Sequence, residues 1–160
     1  MLDAIDLQIL DLLQDNARIP QAEIARVVGL APSAVLERLR KLESRGVIRA
    51  YAAVLNPKAL DQRLLAFVAL RTTDRPGETR VAQTLLGIPE VLEIHHVAGD
   101  DCLLLKVRAR DPEHLSQILR DRLGSLDGVR STRTTIVLES IKETTKLPID
   151  VAVDHDEVTS

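Results

Sequence analysis

Between residues 32 and 49 stand five Arg and Lys against two Glu, whereas residues 1–31 hold two Arg against five Asp and Glu. At helical spacing Ser33, Glu37, Arg38, Lys41 and Arg45 share an outward face, with Arg40 and Arg49 close by. Such a face offers hydroxyl, carboxylate and guanidinium groups to base edges and cations to phosphates, the chemistry needed to bind duplex DNA. A charged run is more often a plain solvated helix face, so the elements that carry it must decide.

Those elements read as two short amphipathic helices. Ile24, Val27 and Val28 form the apolar side of the first, and Val35, Leu36, Leu39 and Leu42 that of the second. Gly29 can take the left-handed conformation that ends a helix, and Pro32 suits the first position of the next, so the connection is tight. A third helix is expected ahead of them, with Leu2, Ile5, Ile9, Leu12 and Leu13 as its stripe. Its Asp3, Asp6, Asp11 and Asp15 form an acidic face that should point away from DNA. The three together make a helix-turn-helix unit. Residues Gly46 to Pro57 then turn β-like, as a strand tethering this unit to the rest.

The rest divides into two similar halves. Leu64–Thr72 reads as a strand, Pro76–Leu86 as a helix and Val91–Ala98 as a strand; Cys102–Ala109, Pro112–Leu123 and Val129–Ser140 repeat the order. Gly99-Asp100-Asp101 is a hairpin turn between the two halves. The expected fold is therefore α+β: a helix-turn-helix (winged-helix-like) domain over residues 1–48, a linker strand over 49–61, a ferredoxin-like βαββαβ domain over 62–149 and a mobile tail over 150–160. A sheet of this kind has helices on one face only. A second copy of the chain is the simplest cover for the other.

In order and spacing, several stretches resemble the Lrp/AsnC family of transcription regulators, also called feast/famine or leucine-responsive regulatory proteins. They are Leu2-Asp3-Ala4-Ile5-Asp6, Val28-Gly29-Leu30-Ala31-Pro32-Ser33, residues 36–43, residues 51–57, Val97-Ala98-Gly99-Asp100, Leu104-Leu105-Lys106-Val107 and Thr132-Arg133-Thr134. The resemblance covers residues 2 to about 149. It implies a DNA-binding regulator and not an enzyme, with a C-terminal domain that dimerises and often senses an amino acid between subunits. It also implies assembly into dimers and often tetramers, octamers or rings. Two positions depart from the family pattern. Ala31 stands where many relatives place a serine, which removes a side-chain cap. In the turn Gly99-Asp100-Asp101-Cys102, many relatives have an aromatic residue and then an aspartate at the last two places.

On this reading the N-terminal part of the recognition helix meets base edges. Arg38 would pair with guanine, Glu37 would accept from cytosine, and Ala34 would pack on a thymine methyl beside Ser33. Arg40, Lys41, Arg45 and Arg49 would hold phosphates. Four-residue spacing equally makes Glu37 an intrahelical partner of Lys41. A two-fold dimer would prefer half-sites about 10 bp apart or a multiple of that. An amino-acid effector would need negative charge for its ammonium, from Asp100 and Asp101. Its carboxylate would need donors, from backbone N–H groups near Gly99 and the hydroxyls of Thr132 or Thr134. Asp beside Gly is also plain turn chemistry, and threonine in a strand needs no function.

Other chemistry finds little support. Adjacent His95 and His96 on a strand point to opposite faces and cannot share one metal ion, and the chain has one cysteine, so neither a zinc site nor an internal disulfide is expected. No cofactor is expected. One Tyr, one Phe and no Trp argue against stacking on single-stranded nucleic acid. With no leader-like stretch and no long apolar run, the expectation is a cytoplasmic, nucleoid-associated protein without a membrane partner. Two alternatives remain at this stage. One is a DNA-organising protein of low sequence specificity. The other is an enzyme of the sirohaem decarboxylase kind, whose two-domain architecture this chain also resembles, acting through His95 or His96.

Overall fold

The computed structural model describes residues 1–74, 78–99 and 102–150, and the chain forms two compact units. One comprises Met1–Val54 together with the segment from Glu143 on, the other Leu55–Lys142.

The first unit contains α1 (Ala4–Asp15), α2 (Gln21–Val28) and α3 (Pro32–Ser44). Asp3 starts α1 through a capping box: its Oδ1 accepts the Asp6 N–H at 2.8 Å, and Asp6 Oδ2 accepts the Asp3 N–H at 3.3 Å. Gly29 ends α2 at φ 70° and ψ 31°, and the Leu30 N–H closes on the Ala25 carbonyl at 3.0 Å in a Schellman pattern. Pro32 opens α3, and Ala31 at the cap supplies no side-chain hydrogen bond. Ile9, Ile24, Ala25, Val35, Leu39 and Leu42 form the core where the helices meet. Val27, expected in the apolar stripe, is 49% exposed; Ala25 takes its place because it lies on the side of α2 that faces the core.

In the second unit β1 (Leu64–Thr72), α4 (Arg80–Leu85), β2 (Val91–His96), β3 (Leu103–Ala109), α5 (Pro112–Gln117) and β4 (Val129–Val137) follow the expected order. A π-helical turn, Ile118–Leu123, continues α5. The sheet is antiparallel with the order β2-β3-β1-β4, the topology of a ferredoxin-like split unit. Ala66, Val68 and Leu70 of β1 pair with Val107, Leu105 and Leu103 of β3, and these side chains pack under Val81, Leu85, Leu115, Ile118 and Leu123. The alternate residues of β1, Leu65, Phe67 and Ala69, lie on the opposite face, where Phe67 is 36% exposed.

Three expectations are corrected. Residues 49–56 form no strand: the segment has β-forming residues but no neighbouring strand in the single chain to complete a ladder. Asp3 and Asp6 do not belong to a free acidic face, because both turn onto Arg38 of α3. The segment from Glu143, expected to complete the ferredoxin-like domain, packs instead on α1. There the Gln14 amide exchanges two hydrogen bonds with the Leu147 backbone, at 2.7 and 3.0 Å, and Lys146 pairs with Asp15 and Asp11. Of the expected tail, residues 151–160 lie outside the described residues.

Candidate DNA interface and effector region

Along α3 the charged groups divide into two flanks. Ala34, Lys41 and Arg45 border a cleft of about 440 Å³ that also contains Asp3 and Asp6. Arg40 borders a separate cleft of about 340 Å³ beside Glu43 and Tyr51. Glu37 also borders the first cleft, Ser33 is exposed, and Arg49 is exposed beyond the helix. This division follows from 3.6 residues per turn: side chains at 34, 38, 41 and 45 form one row, and those at 36, 40 and 43 another.

Several of these groups already have partners. Glu37 Oε1 lies 2.6 Å from Lys41 Nζ, the four-residue pair that the spacing allows, and Lys41 holds the Glu37 carboxyl below its usual range. Arg38, expected at a guanine, donates from Nη1 to Asp6 Oδ1 at 2.6 Å and to Asp3 Oδ2 at 2.7 Å. The Asp3 carboxyl is lowered first by the Asp6 backbone N–H and then by Arg38, and the two carboxylates raise the guanidinium further. Among the described residues of this unit Asp6 is the buried polar one, at 8% exposure. Sequence reasoning missed both Asp roles, although Asp-x-x-Asp at a helix start is a readable capping signal. It also missed Tyr51, whose hydroxyl donates to Glu43 Oε1 at 2.9 Å and is pushed up to about 12 by burial and by that carboxylate.

In the second unit, Gly99 adopts φ 128°, a region that favours glycine, and Asp100 and Asp101 lie outside the described residues. The Cys102 N–H meets the Leu70 carbonyl at 2.9 Å, while Thr132 pairs with Leu70 from the other side and Thr134 with Val68. Thr132 is exposed and Thr134 half-buried. Cys102 and Thr132 therefore sit on either side of Leu70, separated by β1 and about 9–10 Å apart. The two threonines share the helix-covered face with the core of β1.

His95 and His96 alternate as expected, opposite Leu104 and Leu103. His95 Nε2 lies 3.1 Å from Glu93 Oε2, and Lys106 Nζ 3.0 Å from Glu93 Oε1. Both neighbours hold the Glu93 carboxyl below its usual range, the histidine more strongly. Among the described residues no group of three His, Cys, Asp or Glu is placed to hold a metal ion, and no helix is long and apolar enough to cross a membrane.

A family model described as winged helix-turn-helix DNA-binding matches residues 2–49, and one described as the Lrp/AsnC ligand binding domain matches residues 65–147. The chain belongs to the Lrp/AsnC family. It is 39% identical over 150 residues to the HTH-type transcriptional regulator FL11 of Pyrococcus furiosus, covering 93% of this chain and 97% of that protein. It is 40% identical over 151 residues to the leucine-responsive regulatory protein of Escherichia coli, covering 92% of each. Among solved structures it resembles a Neisseria meningitidis transcriptional regulator in complex with L-methionine, with 34% identity, a TM-score of 0.87 and coverage of 94% and 98% of the two chains. A Mycobacterium tuberculosis feast or famine regulatory protein complexed with L-methionine matches at 35% identity and a TM-score of 0.85, covering 92% of this chain and 99% of that one. This Lrp/AsnC chain is thus a transcriptional regulator with a helix-turn-helix reader and the family's ligand-binding domain. The match to the second model runs past β4 to residue 147, so it includes the residues that pack back on α1.

Proposed function

We propose that this regulator acts as a dimer, or a larger assembly of dimers, that presents two copies of α3 to a pseudo-palindromic duplex in the cytoplasm. The observation that carries this reading is the exposed surface of α3. Its N-terminal turn offers Ser33, Ala34 and Glu37 toward base edges, and its remaining length offers Arg40, Lys41, Arg45 and the following Arg49 to phosphates. The Glu37–Lys41 pair holds both side chains extended on this surface, where either can be exchanged for a base or a phosphate. The second copy covers the sheet face that bears Phe67.

The effector is an amino acid, the class of ligand bound in the two related structures. Asp100 and Asp101 are assigned to its ammonium; the Gly99 backbone, Thr132 and Thr134 are assigned to its carboxylate. Cys102 and Thr132 flank β1 on opposite sides, so we assign the effector to a site shared between subunits.

The test is selection of fragmented genomic DNA on the purified protein at moderate salt, repeated with each common amino acid. Recurrent pseudo-palindromic sites whose recovery shifts with one amino acid are the expected result. Unselective recovery would support DNA packaging in place of operator reading. Titration calorimetry with the amino acid so identified, on Thr132→Val and on Asp100→Asn, then checks the assigned groups.

A further inference from the structure

The guanidinium of Arg38 is the best-held cation on α3. Two carboxylates from the start of α1 meet its Nη1 at 2.6 and 2.7 Å, and its side chain is 28% exposed, against 67% for Lys41. Those carboxylates are themselves fixed, because Asp3 and Asp6 also close the capping box of α1. The chain of contacts therefore runs from the first backbone N–H groups of α1, through two carboxylates, to the middle of the recognition helix. Within the three-helix unit the other links between α1 and α3 are apolar and lie in the core. Charged hydrogen bonds are shorter and more directional, so this one sets the helix's rotation and angle.

We propose that Arg38 is a positioning residue of the DNA reader: tied to Asp3 and Asp6, it orients α3 so that Ser33, Ala34 and Glu37 reach the bases, and it does not read a base itself. The proposal rests on the reading of α3 as the DNA-contacting helix. A guanine contact made through Nη1 would leave a buried carboxylate, Asp6, without its cation. The tie also places two negative charges beside the DNA face. Arg38 and the α1 N-terminal N–H groups compensate them, which keeps them from repelling the phosphates.

Separating the tie from the cap is possible because serine and glutamine also make a capping box. The double substitution Asp3→Ser with Asp6→Gln keeps α1 capped and removes the charges that hold Arg38. Binding is measured by fluorescence anisotropy on one fixed duplex of mixed sequence, and base preference by selection from a randomised duplex pool. The proteins compared are the wild type, Arg38→Gln, Arg38→Lys, the Asp3→Ser/Asp6→Gln variant and the combination of that variant with Arg38→Gln. Thermal unfolding confirms that each is folded at the assay temperature.

Arg38→Gln and the capped variant should each weaken binding by about tenfold, the effect of losing one charged hydrogen bond. The combination should be no weaker than either alone, because one contact has been removed from its two sides. Arg38→Lys should recover part of the loss, and the selected sequences should keep the wild-type base preferences. A capped variant that binds as well as the wild type or more tightly, with Arg38→Gln losing preference at one base pair, would overturn the proposal and make Arg38 a base reader. Additive losses would overturn it too. Failure of the wild type itself to bind any duplex would instead remove the underlying reading of α3.

Discussion

At the scale of single residues, several groups of the helical unit are tied to partners contributed by other segments of the chain. Tyr51 is the chain's one tyrosine and there is no tryptophan, so its phenolate absorbance can be followed without interference. Burial first, and the hydrogen bond to Glu43 second, push its ionisation up to about 12. An unfolded phenol loses its proton near pH ~10. The raised value therefore contributes stability that is fully present below that pH and is lost as the pH rises through about 12. Solvent screens part of the effect, since the residue is 49% exposed. Spectrophotometric titration should give a midpoint well above that of free tyrosine, and Glu43→Gln should lower it only part of the way, because burial remains. An ordinary midpoint in the wild type would mean that the ring does not rest on the α3 flank. The ties of Asp6 to Arg38, of Gln14 to Leu147 and of Tyr51 to Glu43 were not readable from the sequence, since each joins separate elements of the chain. Glu37 with Lys41 was readable, because both partners lie on one helix at a fixed spacing.

At the scale of elements, periodicity explains what was legible. Leu64–Thr72 was expected as a strand and is one over the same residues, since its flanks and its run of apolar residues are encoded locally. The strand expected at 49–61 failed because strand formation needs a partner that local sequence cannot supply. Helix ends carry two predictions. Ala31 leaves the first N–H groups of α3 without a side-chain cap, so Ala31→Ser should stabilise the reader by about 0.5–2 kcal/mol, seen as a higher midpoint in urea unfolding. No change would mean that water already serves those groups equally well. At the far end of α5 the π-helical turn brings the Gly124 N–H onto the Leu119 carbonyl at 2.8 Å, and a Cβ at Gly124 would stand 2.9 Å from that same oxygen. Gly124→Ala should therefore destabilise the second unit by about 1–3 kcal/mol, because backbone rather than a flexible side chain must move. A neutral result in the same unfolding assay would show that the turn can relax to an ordinary α-helical end.

At the scale of the whole molecule, the chain passes between its two units twice, near Val54–Leu55 and near Lys142–Glu143. The second passage leads from β4, which carries Thr132 and Thr134, to Leu147 on α1, so a change at the sheet has a covalent route to the reader. What such a route can transmit depends on whether the sheet face is covered. Phe67 lies in the central strand β1 on the face opposite α4 and α5, away from the helix-side core, so replacing it should leave the 17.7 kDa chain folded. In a two-fold dimer built on that face the substitution is present on both partners, and Phe67→Asp would place two unpaired carboxylates in the interface, at a cost of several kcal/mol each. Sedimentation equilibrium at micromolar concentration should then shift from the dimer or larger species to the monomer, with the far-ultraviolet circular dichroism preserved. Affinity for a two-half-site duplex should fall by more than affinity for a single half-site, because separate readers lose the high effective concentration that linkage provides. An unchanged mass would place the interface elsewhere, and the exposed apolar residues Val54, Leu55, Leu138 and Ile141, beside the two passages between units, would be the next to substitute.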